Sequence, residues 1–287
     1  MIKPRIGIFI IAYNAVNHLI KTISRIPKDI YAEVDEIFVI DDCSTDNSYY
    51  AALGYKHEYG IEKLTVHRNR ENQGYGGNQK VGYQYAIDRG LDVVALVHGD
   101  GQYAPEALPT LLEPFRTESA DMVFGSRMSS RFEALKGGMP LYKFVGNKIL
   151  TAIQNRLSGL ALSEYHSGYR LYSTAALRDI PFLSFTDSWH FDTQILLALA
   201  EREKHIVERP IPTYYGDEIC HVNGIPYALN CIITSYQYYR NRKSGALSYP
   251  GPRDVPRIVP QDPSSSVADG PQSTEEELVP STAVGNG

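Results

Sequence analysis

Asp92-Val93-Val94-Ala95-Leu96-Val97-His98-Gly99-Asp100-Gly101-Gln102-Tyr103 decides the fold. A continuous apolar run with β-branched residues, closed by Gly and Asp, is the pattern of a strand buried on both faces of a parallel sheet. Ligands of open α/β sheets sit outside the carboxyl ends of the strands. There, an Asp-Gly-Gln turn can place two oxygen donors, Asp100 and Gln102, on one divalent cation, which would hold a diphosphate. The competing reading is a tight turn alone, since Asp-Gly pairs favour turns.

The flanking sequence repeats the pattern. Arg5 to Ala12 reads as a strand broken by Tyr13-Asn14, followed by a helix from about Asn17 to Arg25 that Pro27 stops. Glu36 to Ile40 is a second strand, ended by Asp41-Asp42-Cys43-Ser44-Thr45-Asp46, with a helix from Asn47 to Tyr55. Lys63 to His67 is a third, followed by the glycine-rich Asn72 to Asn78 and a helix through Ile87. Leu108, Leu111, Leu112 and Phe115 share one helical face, and Asp121 to Arg127 is a fifth strand. Strands alternating with helices predict an α/β fold with a mainly parallel sheet.

Gly74-Tyr75-Gly76-Gly77 is no P-loop, because no Gly-Lys-Ser/Thr follows, and it does not follow the first strand as a dinucleotide fingerprint would. It reads as a loop whose backbone, at Gly76, passes close to a ligand, or as a solvated turn.

The second half changes character. Leu141, Phe144, Val145, Ile149, Ala152, Ile153 and Leu157 form one apolar stripe, with Lys143, Asn147, Lys148, Gln154 and Arg156 as its polar remainder. Such a helix docks on a sheet or lies in a membrane interface. Tyr169 to Ser173 and Ile206 to Tyr214 are expected strands, Phe191 to Arg202 a helix, and Tyr227 to Arg240 a tyrosine-rich helix ending in basic residues. Residues 1–243 are expected to form one domain, and 244–287, rich in Pro, Ser and acids, a disordered tail.

Charge and cysteine content narrow the classes. Of the formal net charge of −5, the segment from Ser248 carries −4, leaving a nearly neutral body without the basic footprint of a nucleic-acid binder. The three cysteines show no Cys-x-x-Cys spacing, so neither a disulfide framework nor a zinc site is expected, and a reducing cytoplasm fits. No apolar run approaches the roughly 20 residues of a membrane helix.

A site for a nucleoside diphosphate carrying a transferable sugar needs polar groups for base and ribose, and positive charge for the leaving diphosphate. Tyr13, Asn14, Asp41 and Asp42 can supply the first; a cation on Asp100 and Gln102 supplies the second. The set Ile11-Ala12-Tyr13-Asn14, Ile40 to Asp46, Asn72-Gln73-Gly74-Tyr75-Gly76, Gly99 to Tyr103 and Gly125-Ser126-Arg127 resembles the family 2 glycosyltransferases of GT-A fold. The likeness spans roughly residues 5 to 215. Ser167 to Tyr172 and Phe191 to Ile195 are similar to segments of the dolichyl-phosphate mannosyltransferase and polyprenyl-phosphate glycosyltransferase branch.

The resemblance implies a GT-A, Rossmann-like fold and an inverting, metal-dependent transfer of sugar from a UDP- or GDP-sugar to a polyprenyl phosphate. It implies nucleoside binding by Asp41 and Asp42, Mg²⁺ or Mn²⁺ on Asp100 and Gln102, and acceptor phosphate on Arg127 and Arg170. The family's motif usually reads Asp-x-Asp, and His98 stands at its first position, as a metal ligand, a neighbour of the ribose, or a plain hydrogen-bonded histidine. His221, on a late loop, is a further candidate to close the metal shell.

Two rival readings stay open. Transfer to a hydroxyl of a glycan or lipid-linked saccharide needs a general base, for which Asp192 or Asp187 is the candidate. A nucleotide-sugar-binding protein without catalysis is the other. A lipid acceptor would place the chain on the cytoplasmic face of a membrane, peripherally or through a membrane-protein partner.

Overall fold

The computed structural model describes residues 3–129, 133–212 and 223–246. Strands β1 (Ile6–Ala12), β2 (Glu36–Asp41), β3 (Leu64–Arg68), β4 (Val93–His98), β5 (Met122–Ser126), β6 (Arg170–Ser173) and β7 (Ile206–Pro210) form one sheet in the order β3-β2-β1-β4-β6-β5-β7. β6 is antiparallel to both neighbours, and every other pairing is parallel.

Strand periodicity sorts the core into two layers. From β1, Ile6, Ile8, Ile10 and Ala12 pack with α1 (Leu19–Ser24), α2 (Lys28–Glu33), α3 (Ser48–Glu58) and α5 (Leu108–Thr117). Phe9 points the other way, to α4 (Gly74–Asp88), α8 (Thr174–Arg178) and α9 (Phe191–Glu201). In β4, Val93, Ala95 and Val97 join the first layer, and Val94 and Leu96 the second. Leu96 is fully buried, so Leu96→Ala should cost about 2–5 kcal/mol.

The parity also places the site. His98 continues the Val94, Leu96 series and faces α4. β1 lies between β2 and β4, so the chain leaves it in one direction and returns on its other side. This is a topological switch point, with a crevice above the carboxyl ends of β1 and β4.

Several expectations need correction. Pro27 ends the first helix but also caps α2, a helix absent from the sequence reading. The Gly74 to Gly77 segment is the first turn of α4 rather than a loop. The helix expected from Tyr227 begins at Gly224, as α10 (Gly224–Ser244). In α7 (Leu141–Ser158) the burial is reversed: Gln154 and Thr151 are buried while Leu141, Val145 and Ile149 are exposed. The residues after Ala246, including nearly all of the expected tail, lie outside the described residues, as does the end of the strand expected to reach Tyr214. Among the described residues no helix is long and apolar enough to cross a membrane.

Candidate active site

The loops after β1 and β2 are tied together by side chains first read as ligands. Asn14 adopts a left-handed backbone (φ 50°), and its Oδ1 accepts the Thr45 amide at 2.9 Å. Its own amide donates to Ser44 Oγ at 2.9 Å. Asp41 is fully buried, its carboxylate accepting the Ser44 amide at 3.0 and 3.2 Å. Asp42 is nearly as buried and accepts from Asn69 Nδ2 at 2.7 Å and the Gln73 amide at 2.9 Å. Burial pushes both carboxyls above the usual range, against these hydrogen bonds. Asp41 therefore braces the loop from within. Tyr13, half exposed, stands at the crevice rim.

At the end of β4, Asp100 is exposed and Gln102 half exposed. Asp100 Oδ1 accepts the Gln102 amide at 2.9 Å, which fixes the turn and leaves the second carboxylate oxygen turned to solvent or ligand. Two oxygen donors suit Mg²⁺ or Mn²⁺, which fill their remaining positions with phosphate oxygens and water. His98 is enclosed by Tyr75 and Tyr103, at ring-centroid distances of 5.8 and 5.0 Å, and its Nε2 is buried without a partner. A Cβ on Gly168 would lie 2.7 Å from that nitrogen, so only glycine lets the Ser167–Gly168 backbone close over the ring. Among the described residues no three His, Cys, Asp or Glu side chains converge to cage a metal. His221 lies outside the described residues.

Asp192 sits at the start of α9 and is buried. Its Oδ2 accepts from Tyr75 Oη at 2.9 Å and its Oδ1 from Gln79 Nε2 at 3.2 Å. Arg170 is fully buried, with its guanidinium donating to the carbonyls of Ser167 (2.8 Å), Asp192 (2.7 Å) and Tyr165 (2.6 Å), and its Nε lies 3.8 Å from Asp192 Oδ2. The expectation that Arg170 holds an acceptor phosphate is thereby overturned. As a general base Asp192 is poorly presented, because it is buried and each of its oxygens already accepts a hydrogen bond.

Gly76 needs the same correction. Its amide donates to the Asp187 carbonyl at 2.8 Å, and a Cβ there would come within 2.5 Å of Thr186 O. The close backbone approach is to the 186–187 segment of the chain, not to a ligand. Lys80 fastens the same segment, bonding the Phe185 carbonyl and Asp187 Oδ1.

Arg127 follows β5 and pairs with fully buried Glu164, which also accepts the Arg127 amide at 2.9 Å. Burial pushes the Glu164 carboxyl up, but the charge and hydrogen bonds of Arg127 outweigh it and hold the group below the usual carboxylate range. Asn147 of α7 adds a bond to Glu164 Oε1 at 2.9 Å. Lys148, one residue on, donates to the Met128 carbonyl at 3.2 Å and brings a half-buried cation to this side of the crevice.

Sequence reasoning missed Glu164, Lys148 and an aromatic row. Trp189, the single tryptophan, stacks on Tyr75 at 4.5 Å and 25°, and the row continues through His98 to Tyr103. Trp189 remains 37% exposed, enough to meet a ligand. Its rarity was the available signal; Glu164 gave none, because its partner is 37 positions away.

Residues 7–181 match the family model for glycosyl transferase family 2. The chain belongs to glycosyltransferase family 2. It is similar to the UDP-N-acetylglucosamine–dolichyl-phosphate N-acetylglucosaminyltransferase of Methanococcus voltae, 27% identical over 76% of this chain and 88% of that protein. It is 31% identical to the undecaprenyl-phosphate mannosyltransferase of Micrococcus luteus, over 72% of this chain and 82% of that one. The fold matches the crystal structure of glucosyl-3-phosphoglycerate synthase from Mycobacterium tuberculosis in complex with Mn²⁺, UDP and glucosyl-3-phosphoglycerate. The TM-score is 0.56 at 16% identity, over 92% of both chains. The GT-A fold and the transferase class expected from the sequence are thus established for this family 2 chain.

Proposed function

We propose that this glycosyltransferase moves a sugar, with inversion, from a UDP- or GDP-sugar to a polyprenyl phosphate. The observation that carries the choice of acceptor is the engagement of Asp192 by Tyr75 and Gln79, beside Arg170. A hydroxyl acceptor needs a base in reach of its proton, and this carboxylate is buried with each oxygen already accepting a hydrogen bond. Asp187 is exposed but paired with Lys80 at 2.5 Å. A phosphate monoester, with a second pKa of about 6, arrives as an anion and needs no base. Relatives that act on dolichyl and undecaprenyl phosphate support the same acceptor class.

In this reading Tyr13 lines the nucleoside end of the crevice, whose shape Asn14, Asp41 and Asp42 maintain. Asp100 and Gln102 would hold Mg²⁺ or Mn²⁺, which supplies neutralisation of the charge that develops on the departing diphosphate. Trp189 and Tyr75 offer a flat apolar wall for the donor sugar. Lys148, with Arg127 kept in place by Glu164, orients the acceptor phosphate for in-line attack on the anomeric carbon. The acceptor-phosphate role first given to Arg170 passes to Lys148.

Labelled UDP- and GDP-sugars, each with Mg²⁺ or Mn²⁺ and a short polyprenyl phosphate, test the proposal. Metal-dependent label in the organic phase, reduced about 10²- to 10³-fold by Asp100→Ala, is expected. Label that never partitions, whichever donor and metal are supplied, contradicts it.

A further inference from the structure

Helices α7 and α10 are built inside out. The side chains that α7 buries are Leu150, Thr151, Gln154 and Ser158; those of α10 are Cys231, Thr234, Ser235 and Tyr238. Most of their large aliphatic residues face water instead. On α7, Leu141 (67% exposed), Val145 (46%), Ile149 (58%) and Ile153 (37%) recur every fourth residue. On α10, Ile225 (76%), Leu229 (54%) and Ile233 (52%) do the same. Residues four apart share a helix face, so each helix carries an unbroken apolar ridge. Gln154 Nε2 reaches Ser235 Oγ at 3.4 Å and Arg242 Nη1 reaches the Ser158 carbonyl at 3.0 Å, so the helices lie side by side and run the same way. Large exposed apolar surfaces on soluble domains mark interaction sites.

Charge identifies the occupant. The two helices contain Lys143, Lys148, Arg156, Arg240, Arg242 and Lys243 and not one Asp or Glu, in a chain whose net charge is −5. An apolar ridge beside basic residues is the chemistry of an in-plane helix on an anionic bilayer, with aliphatic side chains among the acyl chains and cations at the headgroups. A second copy of the chain would bring the same cations face to face. Tyrosines 142 and 236, 73% and 55% exposed, add residues that favour the headgroup level.

Both helices also touch the acceptor side of the crevice. Asn147 of α7 bonds Glu164, the partner of Arg127, and Tyr227 of α10 bonds His166, whose carbonyl accepts from Arg127. We propose that α7 and α10 together form a docking face for an anionic lipid bilayer, lying flat on it and holding the crevice beside the headgroups. The proposal rests on the reading of the acceptor as a polyprenyl phosphate, which is itself a membrane lipid.

The test is co-sedimentation of the full-length protein with protein-free vesicles that contain no polyprenyl phosphate. One set is neutral phosphatidylcholine; the other contains about one third phosphatidylglycerol. Binding to the anionic set that high salt weakens, and that Ile149→Ser/Ile233→Ser lowers about tenfold or more, is expected. The variant's Tm should stay within about 2 °C of the parent, since both side chains already face water. If it unfolds, Arg240→Gln/Lys243→Gln reads the charge-dependent part of the same binding and should lower it.

Equal binding to neutral and anionic vesicles, or binding that neither variant changes, overturns the proposal. So does a dimer that the isoleucine variant dissolves, because a second copy would then cover the face. So does failure to bind any protein-free vesicle, the result expected if a membrane protein were the partner. Transfer to a water-soluble short-chain polyprenyl phosphate separates this face from the reaction. Transfer without vesicle binding sinks the face alone, and vesicle binding without transfer supports the face and sinks the reaction.

Discussion

The crevice and the α7–α10 pair depart from the apolar-in, polar-out rule in opposite senses. Around the crevice, charged and polar side chains are buried, and the structure gives them partners: Asp41 with Ser44, Asp192 with Tyr75 and Gln79, Arg127 with Glu164. On α7 and α10, most aliphatic side chains are exposed over a buried seam made mainly of small and polar ones. A buried charge is expensive unless bonded, so the first region has its compensation inside the molecule. The second has none among the described residues, and in the proposed docking its compensation comes from the bilayer.

That contrast can be broken most forcefully at Glu164. Glu164→Ala leaves the buried Arg127 charge without its carboxylate and should destabilise the fold by about 3–5 kcal/mol in a urea titration. A loss under about 1 kcal/mol, no more than an exposed pair gives, would mean that the crevice side is not internally compensated.

Next in size is the acid response. Burial pushes the His166 imidazole down to about 4, below its unfolded value of about 6.5. Between these values the unfolded chain binds more protons, so stability is full above about pH 6.5 and declines as pH falls toward 4. Glu164, held low, adds a loss that sets in as pH falls through the ordinary carboxylate range and continues below it. Asp41 and Asp42, pushed up by burial, act in the opposite sense and gain stability as pH falls toward that range. His166→Phe should therefore flatten the stability profile between about pH 6.5 and 4, read from Tm at stepped pH. An unchanged slope would show that the buried imidazole is not its source.

Tyr13→Ala probes the rim and should have the smallest effect. One half-exposed ring against a nucleoside is worth about 1 kcal/mol, a several-fold rise in donor KM with little change in kcat. A fall in kcat alone would place Tyr13 at the reacting centre instead.

Apolar runs made β1, β2 and β4 legible, and with them the switch point and the position of Asp100. Period two makes such strands visible without knowledge of their partners. The corrections fall where a role depends on a distant partner. Gly76 looked like a ligand loop because its neighbour, the Asp187 carbonyl, is far along the chain. Arg170 and Asp192 looked like separate functional residues and are one buried network. Gln154 was assigned to solvent on polarity alone, yet it packs under α10 and reverses the helix around it.

The central claim is that the acceptor is an anion that needs no protein base. Its most direct test compares transfer to a short polyprenyl phosphate and to the corresponding polyprenol, in the parent and in Asp192→Asn. The account predicts transfer to the phosphate alone, with turnover in the variant within about tenfold of the parent, short of the 10²- to 10⁴-fold expected for loss of a base. Transfer to the alcohol, or a fall of several orders of magnitude on the phosphate, would contradict it.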